Sequence, residues 1–280
     1  MDTASPDTEL VVERTSPRLR SRARPLQRLR RTAELLMTLT VSDLRVRYGR
    51  GFLLPVRWLF DPFILVGVYL VLVSIVLNKP GEAPGLSIAC TVVPFQLVTA
   101  AVANAMITIA VRGPIITNMN FRRTLIPLSS VFTESASFVA SFTVIVTMMV
   151  VYGVGPTVAL VWLILLVPLT VILATAFAYP AAIFGVWFIE LRSFGQSFVR
   201  ILFFLGPGLV PLSQTSSRAS DLLKLNPLTG LFEAYRNVFL YGQSPAAWQL
   251  LIPLAFSIVL LSAIVPLYNH EQRELAKLLG

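Results

Sequence analysis

The chain has 280 residues, 55% of them hydrophobic and only 13% charged, where a soluble domain of this length carries roughly a quarter charged residues. One cysteine, Cys90, excludes an intrachain disulfide or a cysteine metal cluster, and one histidine, His270, argues against a Ser-His-Asp triad within the membrane. The net charge of +9 is unevenly placed, with Arg14, Arg18, Arg20, Arg22, Arg24, Arg28, Arg30, Arg31, Arg45, Arg47, Arg50 and Arg57 supplying more than half of the 23 basic residues, so it reports orientation and headgroup contact better than nucleic-acid binding.

Residues 1–33 read as a disordered basic cytosolic arm rich in Pro, Ser, Thr and Arg. Met1 to Arg31 has no apolar h-region, so no cleavable signal peptide is expected. The arm fits two readings, a polybasic tail that touches lipid or a partner, and a solvated leader. Residues 34–51 are too polar to span a bilayer. Met37, Val41, Leu44 and Tyr48 nevertheless share one helical face, opposite Glu34, Thr38, Ser42 and Arg45. This pattern predicts a helix lying along the membrane surface; an amphipathic helix on a soluble core fits less well, because no soluble core follows. Asp43 and Arg47 are spaced to pair, and Arg45, Arg47, Arg50 and Arg57 suit anionic headgroups. Gly49 and Gly51 end the helix, and Pro55 and Asp61-Pro62 turn the chain into an apolar run.

A hydrocarbon core of about 30 Å takes about 20 apolar residues per helix. Six segments meet or approach that: 53–77, 86–111, 128–152, 157–188, 194–212 and 248–267. The expected fold is an all-α integral membrane protein, with tilt or a break at Pro168 or Pro180 in the long fourth segment. An even number of spans puts both termini on one side. That side is cytosolic by the positive-inside rule, because only Lys79, Arg218, Lys224 and Arg236 fall on the other. Trp58, Trp162, Trp187 and Trp248 lie near span ends, where interfacial belts form.

Two connections stand out. The inside loop RGPIITNMNFRRTLIP, 112–127, fits either a plug into a soluble partner or a simple positive anchor. The outside segment 213–247 is apolar again after a polar turn, yet it is interrupted at Asn226-Pro227 and carries Glu233 and Arg236 three apart, able to pair. Leu228, Leu231, Phe232, Tyr235 and Phe239 recur at helical spacing. Short re-entrant helices that cap the outer end of a pathway fit this pattern, as does a surface helix resting on lipid.

Ionisable residues within apolar runs are functional candidates. Glu134 lies among Ser129, Ser130, Thr133, Ser135, Ser137 and Ser141, either facing a wet cavity or, the favoured reading, hydrogen-bonding a neighbouring helix. Glu190 and Arg192 read as interfacial. No GxxxxGK[ST] phosphate loop occurs, so the chain does not bind ATP in that manner.

Taken together, DLRVRYGRG at 43–51, LFDP at 59–62, NFRRTLIPLSSV at 120–131 and NPLTGLFEAYRN at 226–237 resemble the transmembrane subunit of ABC-2-type polysaccharide exporters, in the O-antigen and teichoic-acid branch. The likeness runs from about Glu34 to Gly280, and Glu190-Leu191-Arg192 stands where relatives usually show Arg-Asp. The particular loops look most like permeases that export a galactan precursor. That resemblance implies a plasma-membrane permease without catalytic chemistry, a polyprenyl-diphosphate-linked polysaccharide as substrate, and an ABC ATPase partner that binds ATP and Mg. It also implies a dimer of permeases with a dimer of ATPases. It maps a coupling helix onto Ile115 to Arg123, with Ile115, Asn118, Asn120, Phe121, Arg122 and Arg123 facing the ATPase. The outer gate maps onto 222–241, with Asn226, Pro227, Glu233, Tyr235 and Arg236.

Aromatic faces grip sugar rings without fixed hydrogen-bond directions, which makes Phe60, Phe63, Tyr69, Phe198, Phe203 and Phe204 pathway candidates, although any one of them also fits lipid contact or helix packing. Asp43, Arg45, Arg47, Tyr48, Arg50 and Arg57 are the candidates at the lipid diphosphate, since guanidinium meets phosphate oxygens in pairs. The competing functions are an ion-coupled flippase with Glu134 carrying the proton, and a membrane enzyme acting on polyprenyl-linked sugars. The enzyme would need clustered acidic or histidine residues at a membrane face, which the sequence does not offer.

Overall fold

The computed structural model describes residues 25–48, 54–76, 81–111, 124–188, 192–214 and 216–278. All secondary structure among them is helical. Helix α1 is Pro25–Tyr48, α2 Leu54–Val71 with a wider π-type turn over Leu72–Val76, α3 Pro84–Val111 and α4 Leu125–Tyr152. A tight 3-10 turn, Val158–Trp162, leads into α5, Leu163–Trp187, followed by α6, Arg192–Phe204. Then come α7, Ser217–Leu223, α8, Pro227–Phe239, and α9, Ala247–Leu278.

The residues up to Leu35 form a unit of their own and the rest a second unit. In the first, Arg30 Nε donates to Glu34 Oε1 at 2.8 Å on an exposed helical turn. The helix expected at 34–51 is described from Pro25, a residue whose fixed φ and missing N–H suit a first helical position. Met37 is 71% exposed and Val41 is also exposed, so this part of the apolar face is not covered by the chain's own core.

The second unit is organised around α3. Its most extensive packing is with α5 and α4, and it also meets α2, α8 and α6. Within its apolar stretch 78% of residues are buried, against 11% for the stretch Ala247–Leu267 of α9, so α3 is the internal helix and α9 a peripheral one, packed on α5 and α8. Small residues make this possible: Ala89, Cys90, Ala101 and Ala105 are fully buried and let neighbouring backbones approach. Gly153, at φ +67°, closes α4 in the left-handed region, with Val154 N donating to Met149 O at 2.9 Å.

Among the described residues four helices are long and apolar enough to cross a bilayer: Pro84–Thr108, Leu125–Tyr152, Val158–Gly185 and Ala247–Leu267. They coincide with the expected spans 86–111, 128–152, 157–188 and 248–267. The expected span 53–77 contains a shorter apolar helical stretch, Phe60–Ile75. The expected span 194–212 is shorter than its hydropathy suggests: α6 stops at Phe204. At 1.5 Å per residue its 13 residues reach only about 20 Å. The cause is Gly206-Pro207-Gly208, where proline removes a donor and the glycines favour turns. No break occurs at Pro168 or Pro180, through which α5 runs continuously. Trp162 and Trp187, both exposed, mark the two ends of this span.

Candidate functional site

Two polar assemblies lie toward opposite ends of α3. One surrounds Asn104, near its C-terminal end, and the other Ser87, in its first turn. The two residues are seventeen positions apart on the helix, about 26 Å.

The serine-rich start of α4 is largely self-satisfied. The hydroxyls of Ser129 and Ser130 donate to carbonyls three residues back, and those of Thr133, Ser135 and Ser141 to carbonyls four back. Glu134 reaches across. Buried at 6% exposure, its Oε1 accepts from Asn104 Nδ2 of α3 at 2.6 Å. Glu134 thus hydrogen-bonds a neighbouring helix, the favoured reading, and it also lines a cleft of about 890 Å³ bounded by α2, α3, α4 and α6. Asp61, Gln96, Ser137 and Arg200 add polar groups to this cleft, and Tyr69, Phe95, Phe138 and Phe204 add aromatic faces. Charged groups of both signs set among aromatic rings in an apolar bundle provide hydrogen-bonding and stacking surface for a polar ligand.

The aromatic candidates divide. Tyr69 and Phe204 line the cleft. Phe203 is fully buried behind its wall, stacked on Phe95 at 4.3 Å and Tyr69 at 5.7 Å and edge-on to Phe204 at 5.5 Å. Phe63 packs against the core. Phe60 and Phe198 are exposed, Phe198 at a separate apolar recess with Phe177 and Phe184. Phe95, Gln96 and Phe138, which sequence reasoning missed, face the cleft because α3 and α4 turn those sides toward α2. Asp61 and Arg200 carried a legible signal as ionisable residues within or beside apolar runs.

The second assembly centres on α8. Asn226 caps this helix, its Oδ1 accepting from Leu228 N at 3.0 Å and its Nδ2 donating to Leu202 O at 2.6 Å. Pro227 occupies the first helical position. Glu233 and Arg236 do pair, at 2.7 Å, and the arginine is entirely enclosed. Its Nε also donates to Ser87 Oγ of α3 at 3.0 Å and its Nη2 to Gly208 O at 3.3 Å, while Leu212 N donates to Glu233 Oε1 at 3.2 Å. One guanidinium thereby ties α8 to α3 and to the turn after α6. Tyr235 lies 2.9 Å from Thr170 Oγ1 of α5; Thr170 donates its proton to Leu166 O, so the tyrosine hydroxyl is the donor between them. From Pro227 to Arg236 every residue is buried, so α8 is enclosed by protein and does not rest on lipid as a surface helix.

Ile115, Asn118, Asn120, Phe121, Arg122 and Arg123 lie outside the described residues, as do Arg50 and Glu190. Arg47 and Tyr48 fall at the end of α1, Arg57 in α2 and Arg192 at the start of α6. Arg45 is exposed on α1, and Asp43 is partly buried there and engaged. Among the described residues no group of His, Cys, Asp and Glu is placed to hold a metal.

No family model matches the chain. It is similar to the O-antigen export system permease protein RfbA of Myxococcus xanthus, 28% identical over 250 residues that cover 87% of this chain and 94% of the relative. Two proteins of the same name from Klebsiella pneumoniae are each 24% identical, one covering 88% of this chain and 95% of the relative and the other 75% and 81%. The chain is thus a membrane protein that is similar along most of its length to O-antigen export permeases, as its motifs indicated.

Proposed function

We propose that the chain is the permease subunit of an ATP-driven exporter that moves a polyprenyl-diphosphate-linked cell-envelope polysaccharide, galactan or an O-antigen-like glycan, across the plasma membrane. The cleft bounded by α2, α3, α4 and α6 carries the proposal: polar and charged side chains beside aromatic faces inside an apolar bundle suit a sliding glycan, and the relatives are named for O-antigen export. In this reading the chain has six membrane-crossing segments with both termini cytosolic. Two copies assemble with two ABC ATPase subunits that bind ATP and Mg, and the basic N-terminal region and α1 meet lipid phosphate. The segment 115–123 couples to the ATPase, and α8 with its Arg236 network closes the outer end.

The test is co-purification with an ABC ATPase, joined to stimulation of ATP hydrolysis by lipid-linked glycan and loss of surface glycan when the chain is deleted. Reversing charge in Arg122→Glu/Arg123→Glu is expected to weaken ATPase association roughly a hundredfold or more, because like charges brought together at an interface cost several kcal/mol. Membrane insertion should be unchanged, and undiminished co-purification at ordinary salt would refute the coupling assignment.

Buried Glu134 in the cleft gives an ion-coupled flippase its one specific support. Under the ATP-driven reading Glu134→Gln keeps export within roughly twofold, since a glutamine carbonyl still accepts from Asn104 and one neutral hydrogen bond is worth about 1 kcal/mol. Abolished export with an intact fold would favour the flippase.

A further inference from the structure

The end of the bundle opposite Glu134 holds a second recess, of about 470 Å³, separate from the cleft. It is formed where the start of α3, the turn after α6 and the segment after α8 converge, and Glu82, Ser87, Ser213, Gln214 and Tyr241 face it. Its volume falls within the roughly 300–1,000 Å³ of small-molecule sites. Gly81 sits at φ +63°, a backbone conformation that favours glycine, and the Gln214 amide lies against it.

We propose that this recess is a saccharide-binding subsite that takes one uncharged sugar unit of the glycan; the assignment rests on the polysaccharide-export reading above. Its chemistry separates a sugar from other ligands. A carboxylate accepts from two vicinal hydroxyls, a primary amide both donates and accepts, and serine hydroxyls do either. Tyr241, 39% exposed, offers a ring face on which the C–H face of a sugar stacks. Burial, followed by the Glu233 carboxylate, raises the Tyr241 phenol above its usual value, so it remains a neutral hydroxyl at assay pH. The described lining holds the Glu82 carboxylate and no cation, which disfavours phosphate. Placement adds to the case, since Ser87 lines the recess and also accepts from Arg236, so a bound sugar would touch the group that ties α8 to α3.

The experiment uses the full chain in lipid nanodiscs and saturation-transfer NMR with an uncharged galactose tetrasaccharide, with inorganic pyrophosphate added as a charged competitor. The proposal expects transfer to sugar ring protons. That signal should fall roughly tenfold in Tyr241→Ala and in Glu82→Gln, persist in Gly67→Ala, where an added Cβ meets no atom within 4 Å, and be undiminished by added pyrophosphate. Glu82→Gln is isosteric, so it tests the recess even where Tyr241→Ala misfolds. No transfer with the wild-type chain, or transfer undiminished in Glu82→Gln, overturns the subsite. Export is scored separately as surface glycan in cells lacking the chain and complemented by it: wild-type export without recess binding sinks the subsite alone, whereas glycan export that never required the chain sinks the exporter reading.

Discussion

Replacing Arg236 with methionine is expected to destabilise the bundle by about 3–5 kcal/mol, the usual cost of breaking a buried ion pair from one side. The arginine is fully enclosed and spends its guanidinium on three elements at once, Glu233 at 2.7 Å, Ser87 at 3.0 Å and Gly208 O at 3.3 Å. Without it the Glu233 carboxylate stays buried with its main counter-charge gone, and α8 loses its tie to α3. Arg236→Lys should recover little, because an ammonium on a flexible stem does not reproduce a planar fork aimed at three acceptors. The double variant Glu233→Leu/Arg236→Met should recover most of the loss, since removing both charges removes the uncompensated one. Thermal unfolding in detergent with monodispersity as the second readout decides it; an Arg236→Met chain unfolding at the wild-type temperature would count against the network as a structural tie.

Gly185→Val is expected to disrupt the contact between α3 and α5, the most extensive one among the described residues. A Cβ built at Gly185 would stand 2.3 Å from Met106 O and 2.6 Å from Met106 Cα. Those are backbone atoms, so no rotamer change relieves the clash and the helices must separate. The cost should exceed the 1–3 kcal/mol or so typical of side-chain overpacking, and because α3 is the internal helix the displacement reaches α4 and α8 as well. Gly67→Ala is the control: no atom lies within 4 Å of its added Cβ, and alanine is the better helix former. Loss of monodisperse protein for Gly185→Val but not for Gly67→Ala is the expected outcome; equal behaviour of the two would show that close backbone approach is not what holds α3 to α5.

Particular elements show how far the chain could be read without its structure. The four long spans were legible because about 20 consecutive apolar residues are a local property of the chain, and the Glu233–Arg236 pair was legible because three residues along a helix is a fixed geometric relation. Segment 194–212 was read too long, since averaged hydropathy passes over the turn that Gly206-Pro207-Gly208 imposes. The aromatic pathway residues were only partly legible. Tyr69 and Phe204 face the cleft, while Phe203 sits buried behind it and Phe60 and Phe198 face outward.

By itself, then, the sequence determined an all-helical membrane protein, its principal spans, and its likeness to exporter permeases. Only the tertiary structure decided which helix lies inside, which partners Arg236 acquires from residues as distant as Ser87, and that Glu134 both bonds Asn104 and lines a cleft. The reason is physical. Lipid tails are as apolar as leucine, so a helix face packed on protein and one facing lipid have nearly the same composition, and only the arrangement of neighbours tells them apart.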